Sequence, residues 1–278
     1  MNISFSDQQS TKRFVTQLNL YGFPGAWTIR AAVLSLIARL YDVWFVFSTL
    51  RKDNFYFETY GKHQFKLRKA TGDKYVVDEI WTNHDYGPPP SGVVLDLGGN
   101  IGAFAIYAAQ KAERVFSLEP VSTNYNLLQD NLELNSVSNV HPIKLAVSDF
   151  TGERTINISP INLGRSSFLR VGSDTPTESI PCTTLDAIVH ELQIPHIDLI
   201  KCDIEGGEFS AFPYKSSKAL SIASKIVMEI HCNPVKPRIV YKLLRRMQRS
   251  GFSITLQNPR FLRATGLGII IFSKQPNS

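Results

Sequence analysis

The sequence predicts an α/β fold built on a doubly wound, mostly parallel sheet of seven strands, and three observations predict it. Short apolar runs alternate with helix-compatible stretches from residue 93 onward. The first run ends in a glycine-rich turn, Asp96-Leu97-Gly98-Gly99-Asn100-Ile101-Gly102. The last two runs have no helix between them, which implies an antiparallel C-terminal strand. The 278 residues are 43% hydrophobic and 19% charged, which excludes disorder, collagen and coiled coil as the main architecture. Lys+Arg 30 against Asp+Glu 24 leaves +6, a mild excess spread along the chain. No basic tract interleaved with aromatics accompanies it, so no nucleic-acid partner is expected. Cys182, Cys202 and Cys232 form no C-x-x-C pair, which argues against a disulfide scaffold or structural zinc and for a reducing compartment.

Residues 1–70 are assigned to a helical N-terminal extension and 71–278 to the α/β domain. The extension has a polar start, then Ala31 to Leu50, nearly all apolar. Arg39 and Asp42 stand near its centre, three residues apart, where a membrane span tolerates charge poorly and a helix lets them pair. The segment therefore reads as a buried or docking helix, with a membrane-surface helix as the alternative. It is a candidate for peripheral membrane contact or for the contact of a homodimer. The apolar stretch starts late and no cleavage signature follows it, so a cytoplasmic protein is expected. Phe55 to Leu67 alternates loosely and predicts a hairpin around Gly61-Lys62; Tyr75 to Trp81 predicts a short helix. Pro88-Pro89-Pro90 makes the clearest break in the chain.

Beyond it, Val93–Leu97 predicts a strand buried on both faces, Ile101–Lys111 a helix, Arg114–Leu118 a strand and Val121–Leu134 a helix. Val140–Val147 is expected as a single third strand, followed by a β-rich insertion over 152–181. Thr184–Leu192 predicts a helix, Ile197–Cys202 and Ser224–Ile230 two strands, and Pro237–Ser250 a basic helix. Phe252–Gln257 and Gly266–Phe272 close the sheet.

A strand, a glycine turn and a helix present backbone N–H groups to a ligand, and Gly98 and Gly102 leave room for it. Asp96 ends the strand. Glu119, with Pro120 behind it, follows the second strand, where a carboxylate accepts both hydroxyls of a ribose. The dinucleotide pattern is poorly matched, because Asn100 and Ala103 occupy its second and third glycine positions. An NAD(P)-dependent oxidoreductase is thus an alternative that the fingerprint disfavours. A non-catalytic glycan- or membrane-associated module of the same fold is the other.

The glycine loop, Glu119-Pro120 with Asn124 and Asn131, and Thr184-Leu185-Asp186 resemble the FkbM-type methyltransferases. So do Ile200-Lys201-Cys202-Asp203-Ile204-Glu205-Gly206-Gly207-Glu208, Met228-Glu229-Ile230-His231 and Asn162-Leu163-Gly164-Arg165-Ser166-Ser167. That family is a branch of the class I enzymes with a Rossmann-like fold, and the resemblance covers roughly residues 71–273. Gly99 departs from it, since alanine is frequent there, a small residue for a small one. The resemblance implies S-adenosyl-L-methionine as cofactor and O-methylation of a sugar or natural-product hydroxyl, with a small-molecule or glycan acceptor. It implies that Asp96, Gly98, Asn100 and Gly102 line the methionine and ribose, that Glu119 holds the ribose and that Asp149 faces the adenine. Asp203 would face the methyl group.

An alcohol acceptor needs a base or a metal to become a competent nucleophile. Asp203, Glu205 and Glu208 gather after one strand, and Glu229 and His231 end its neighbour. Capping of the next helix is the alternative role for Glu205 or Glu208, and His231 is a chemically reasonable base. Asp203, Glu229 and His231 together suit Mg²⁺ or Mn²⁺, so a divalent metal is entertained and no metal site is assigned. His84 and Tyr86 are placed to close over the cofactor; Lys201 is either a buried pairing lysine or an edge residue.

Overall fold

The computed structural model describes residues 3–5, 54–158, 177–212, 217–231, 237–257 and 267–274. The apolar segment 31–50 and the Asn162–Ser167 motif lie outside these. Strands are β1 Ile3–Phe5, β2 Phe55–Tyr60, β3 His63–Arg68, β4 Gly92–Leu97, β5 Ala112–Leu118, β6 Val140–Ile143, β7 Ala146–Val147, β8 Gly152–Asn157, β9 Thr177–Thr183, β10 Ile197–Cys202, β11 Ala223–His231, β12 Ser253–Leu256 and β13 Leu267–Ser273. Helices are α1 Asp73–Trp81, α2 Ala103–Ala109, α3 Ser122–Leu134, α4 Leu185–Glu191, α5 Glu208–Ala211, α6 Lys218–Ile222 and α7 Pro237–Arg249.

The main sheet runs β1-β12-β13-β11-β10-β4-β5-β6. The pairs from β6 to β11 are parallel, and β13 lies antiparallel between β11 and β12. The predicted seven strands are all present, and β1 adds a three-residue eighth strand at the β12 edge. One apolar face packs against α4, α6 and α7 through residues such as Ile188, Leu220 and Leu244. The other packs against α1, α2 and α3 through Val77, Phe104 and Leu128. Strand order reverses between β4 and β10, the crevice where open α/β sheets bind ligands.

Three expectations are corrected. The extension is not helical throughout: its described parts are β1 and the β2–β3 hairpin, which turns at Gly61-Lys62 as predicted. The segment 140–147 is two strands. Val140–Ile143 forms the edge of the main sheet, where Pro142 forfeits no ladder bond, and Ala146–Val147 joins a second sheet ordered β7-β9-β8. Gly99 is less readily exchanged for alanine than size alone suggests, because a Cβ there would sit 2.3 Å from Ser117 Oγ and 2.9 Å from Leu128 Cδ1 and both side chains would have to shift. Gly98 is equally constrained. Its φ is +83°, and a Cβ would meet the Asp203 carbonyl oxygen at 1.8 Å.

The hairpin docks on α3 through asparagines rather than through strand pairing. Asn124, Asn131 and Asn135 recur at spacings that place them on one side of the helix. Asn131 is fully buried; its Oδ1 accepts from Lys66 N at 2.7 Å, and its Nδ2 donates to Ile101 O at 2.9 Å and Lys66 O at 3.3 Å. Asn135 repeats the exchange with the backbone of Gln64, at 2.9 and 2.7 Å. One side chain thus ties β3 to the loop that follows Gly98. Asn131→Ala strands those backbone groups and should lower unfolding free energy by about 2–3 kcal/mol in urea titration, whereas a loss below about 0.5 kcal/mol would contradict this anchoring.

Candidate active site

Parallel register places Ser117 of β5, Asp96 of β4 and Lys201 of β10 in one row across three strands. Asp96 is fully buried; it accepts from Ser117 Oγ at 2.7 Å and faces Lys201 Nζ at 3.3 Å. The same ammonium donates to Gly98 O at 2.7 Å and lies 3.9 Å from Asp203. Tyr86 and Phe104 cover it, their ring centres 5.5 and 5.8 Å away. Burial favours a neutral amine here, but the charges of Asp96 and Asp203 outweigh it and raise the Lys201 pKa. Lys201 is therefore the buried pairing lysine. It holds the carbonyl of the glycine turn from below, and Asp96 neutralises it.

A cavity of about 620 Å³, open to solvent, lies above this row at the carboxyl ends of β4, β5 and β10. Its walls include Gly98, Asn100, Glu119 and Pro120 from the predicted set, together with Asp203 and Glu205. Ala146, Val147 and Ile156 supply an apolar side, the last from the insertion. Asp96 does not reach the cavity, because it is spent on Lys201 and Ser117; its influence on a ligand passes through the turn. Gly102 is also off the wall. It opens α2 at φ +88°, and a Cβ would press on Leu128 at 3.3 Å. Asp149 is exposed just past the wall residue Val147 and accepts from Ser148 Oγ at 3.1 Å.

Glu119 is buried, with Oε2 accepting from Asn100 N at 2.8 Å and Oε1 from Val121 N at 3.0 Å and Asn124 Nδ2 at 3.4 Å. Asn124 is in turn held by Arg68, whose guanidinium forks onto the buried Asp73 at 2.8 and 2.7 Å. Burial raises the Glu119 pKa to about 7 against the lowering pull of these donors. Asn100, at φ +49°, keeps a buried Oδ1 with no hydrogen-bond partner among the described residues. An enclosed acceptor of this kind suits a polar ligand.

The second half of the site is acidic. Residues 201 and 203, and residues 227, 229 and 231, alternate along neighbouring strands, so Lys201, Asp203, Glu229 and His231 share one face. The Tyr86 hydroxyl lies 3.2 Å from Asp203 Oδ2 and 3.1 Å from Glu229 Oε2, so two carboxylates compete for one phenolic proton. Burial, then the charges of Asp203 and Glu229, push the Tyr86 pKa far up. Burial and Asp203 also raise that of Glu229. Glu79, which sequence reasoning missed, is raised to about 7 by burial and by Glu229. Its signal was faint, one of three acids in a short amphipathic helix.

His231 Nδ1 donates to Glu208 Oε1 at 3.0 Å, and its Nε2 faces Glu205 at 3.4 Å and Asp203 and Glu229 at 3.9 Å each. Burial opposes the charged ring, but the Glu208 bond and the surrounding carboxylates lift its pKa to about 10. By itself His231 is therefore an imidazolium at neutral pH, not the base that its residue type suggests. Glu208 does not cap α5; its Oε1 accepts from Ile204 N and Gly206 N in the preceding turn, at 3.3 and 3.0 Å. His84 bonds Tyr107 at 3.0 Å, so of the predicted closing pair Tyr86 joins the acidic site. Asp186 of the Thr184-Leu185-Asp186 motif is structural, binding Ser217 Oγ at 2.6 Å and Ala219 N at 2.9 Å at the start of α6.

Residues 96–254 match the methyltransferase FkbM domain, more than half of the chain. The protein belongs to this family. It is a methyltransferase, and its cofactor is S-adenosyl-L-methionine; the dinucleotide oxidoreductase alternative is set aside. Hexuronic acid methyltransferase AglP of Haloferax volcanii is 30% identical over 153 residues, covering 55% of this chain and 61% of that protein. Methyltransferase 1 of Beauveria bassiana is 22% identical over 210 residues, 67% of this chain and 83% of its own. AMB antimetabolite synthetase AmbE of Pseudomonas aeruginosa is 25% identical over 235 residues, 68% of this chain, but the match spans only 11% of that protein. A solved methyltransferase FkbM from Methylobacillus flagellatus superposes with a TM-score of 0.44 at 20% identity, over 66% of this chain and 43% of that one. Among the described residues no helix is long and apolar enough to cross a membrane.

Glu119 also sets a pH dependence. Its folded pKa of about 7 exceeds the usual 4.5, so its protonated form favours the fold and the contribution is lost as pH rises from about 4.5 to 7. Between pH 5 and 8 the wild-type protein should lose up to about 3 kcal/mol relative to Glu119→Gln in chemical denaturation. Parallel pH profiles for the two proteins would contradict the shift.

Proposed function

We propose that the protein transfers the methyl group of S-adenosyl-L-methionine to a hydroxyl oxygen of a sugar or another small polyhydroxylated acceptor. The observation that carries this reading is a single open cavity walled by Glu119 and Asn100 at one part and by Asp203 and Glu205 at another. Its donor set fits the cofactor: a buried carboxylate for ribose hydroxyls, a buried unpartnered amide oxygen and a turn without Cβ bulk. The Haloferax volcanii relative, a hexuronic acid methyltransferase, supports a sugar-derived acceptor.

When bound, the cofactor supplies an electrophilic methyl group on a sulfonium, which leaves as a neutral thioether. The chain's own work is alignment, proton management and exclusion of water. Glu119 and Asn100 orient the nucleoside, and Lys201 fixes the turn on which it rests. Asp203, on the cavity wall, orients the acceptor hydroxyl. Asp203 and Glu229, already sharing the Tyr86 hydrogen bond, take the proton that the hydroxyl releases as the new C–O bond forms. The apolar side made by Val147 and Ile156 shields the transfer from water.

The test is transfer of a tritiated methyl group into a panel of monosaccharides, glycosides and small alcohols, with cofactor affinity followed in parallel by calorimetry using S-adenosylhomocysteine. Glu229→Gln should cut kcat by at least about 10²-fold while the product's affinity changes less than about threefold. Unchanged kcat in that variant, or label appearing only on nitrogen or carbon, would overturn the proposal.

A further inference from the structure

Asp203, Glu205, Glu208 and Glu229 surround one imidazole, and Lys201 beside them is already shared with Asp96. Within this group Asp203, Glu205 and His231 each offer one ligand atom, and the three atoms lie within 4.8 Å of one another. Neighbouring ligands of an octahedral ion at about 2.1 Å stand on the order of 3 Å apart, so sub-ångström side-chain shifts would bring these onto one centre.

The histidine is prepared for this role from behind. Glu208 is wholly buried, and its Oε1 is fixed by two backbone N–H groups before it accepts Nδ1–H of His231. That bond sets the ring orientation and turns Nε2 toward Glu205, Asp203 and Glu229, as the carboxylate partner of a metal-bound histidine does. The second oxygen of Glu208 is buried and has no hydrogen-bond partner among the described residues.

We infer that Asp203, Glu205 and His231 form a binding site for a hard divalent cation, Mg²⁺ or Mn²⁺, with Glu208 as the residue that positions the histidine. Two carboxylates and one imidazole suit such ions, and three protein ligands leave positions for water and for an acceptor oxygen. Asp203 and Glu205 are also on the cavity wall, so an ion held by them faces the space assigned to the acceptor. The inference deepens the proposed function and rests on it for its catalytic meaning. A cation on Asp203 lowers the pKa of a hydroxyl bound to it and leaves Glu229 as the nearer proton acceptor. It also makes vicinal diols and hydroxy acids, which chelate through two oxygens, the acceptor class favoured over simple alcohols.

The test uses Mn²⁺ alone with the full-length protein, without cofactor or acceptor. Titration followed by electron paramagnetic resonance should show loss of the hexaaqua Mn²⁺ signal to one equivalent, with a nitrogen coupling in the electron spin echo. His231→Gln should abolish that coupling and weaken binding at least tenfold; Glu208→Gln should keep the coupling and weaken binding about tenfold or more. Circular dichroism and S-adenosylhomocysteine binding establish that each variant is folded, and Glu205→Gln, at a partly exposed position, serves should the others not be. Mn²⁺ left free at millimolar concentration, or bound equally by His231→Gln, would overturn the site. Methyl transfer undiminished by chelator in a protein that binds no Mn²⁺ would remove the metal and leave the proposed function standing. Mn²⁺ binding with the nitrogen coupling, in a protein that methylates no hydroxyl, would do the reverse.

Discussion

The ion pair of Lys201 with Asp96 is the constraint on which the site depends. It is buried, sits in one sheet row with Ser117, and spends its remaining donor capacity on the carbonyl of Gly98. A buried pair of this kind contributes little net stability against an apolar replacement, and breaking it by removing one partner costs about 3–5 kcal/mol. Its worth is positional. It fixes the height of the glycine turn relative to β10, and with it the distance between Asn100 and Glu119 on one part of the cavity wall and Asp203 and Glu205 on the other.

Two layers of support radiate from that row. Toward β5, Glu119 is oriented by the turn's own Asn100 N–H and by Asn124, which Arg68 and Asp73 hold in place from the hairpin and α1. Toward β11, Tyr86 bridges Asp203 and Glu229, and Glu208 fixes His231. The hairpin, the loop before β4 and helix α1 are thus parts of the site's scaffold, although they precede the family-matching segment.

Much of the fold was legible because β4, β5 and β10 are short, largely apolar runs followed at once by Gly98, Glu119 and Asp203. Ile197–Cys202 was read to the residue, and the antiparallel close followed from the missing helix. The split at residue 144 was not legible, because Val140 to Val147 has a single strand-like composition and only the pairing with β9 separates its ends. The edge strand Ile3–Phe5 was missed for a similar reason: three residues carry no periodicity. In the candidate site, residue types and their places after strands pointed to Glu119, Asp203, Glu205, Glu229 and His231, which the fold brings to one end of the sheet. What they could not supply was direction. Asp96 stands near the end of its strand as Asp203 does, yet it points at Lys201 on the neighbouring strand while Asp203 reaches the cavity. His231 looked like a base until its four carboxylate neighbours were counted.

The claim beneath all of this is that the turn held by Lys201 carries a nucleoside at the crevice between β4 and β10. A crystal structure of the protein soaked with S-adenosylhomocysteine tests it most directly. The ribose should lie against Glu119, with the sulfur on the side of Asp203. A nucleoside found elsewhere, or a cavity that stays vacant at saturating ligand with Glu119 still closed on Asn100 and Asn124, would contradict it.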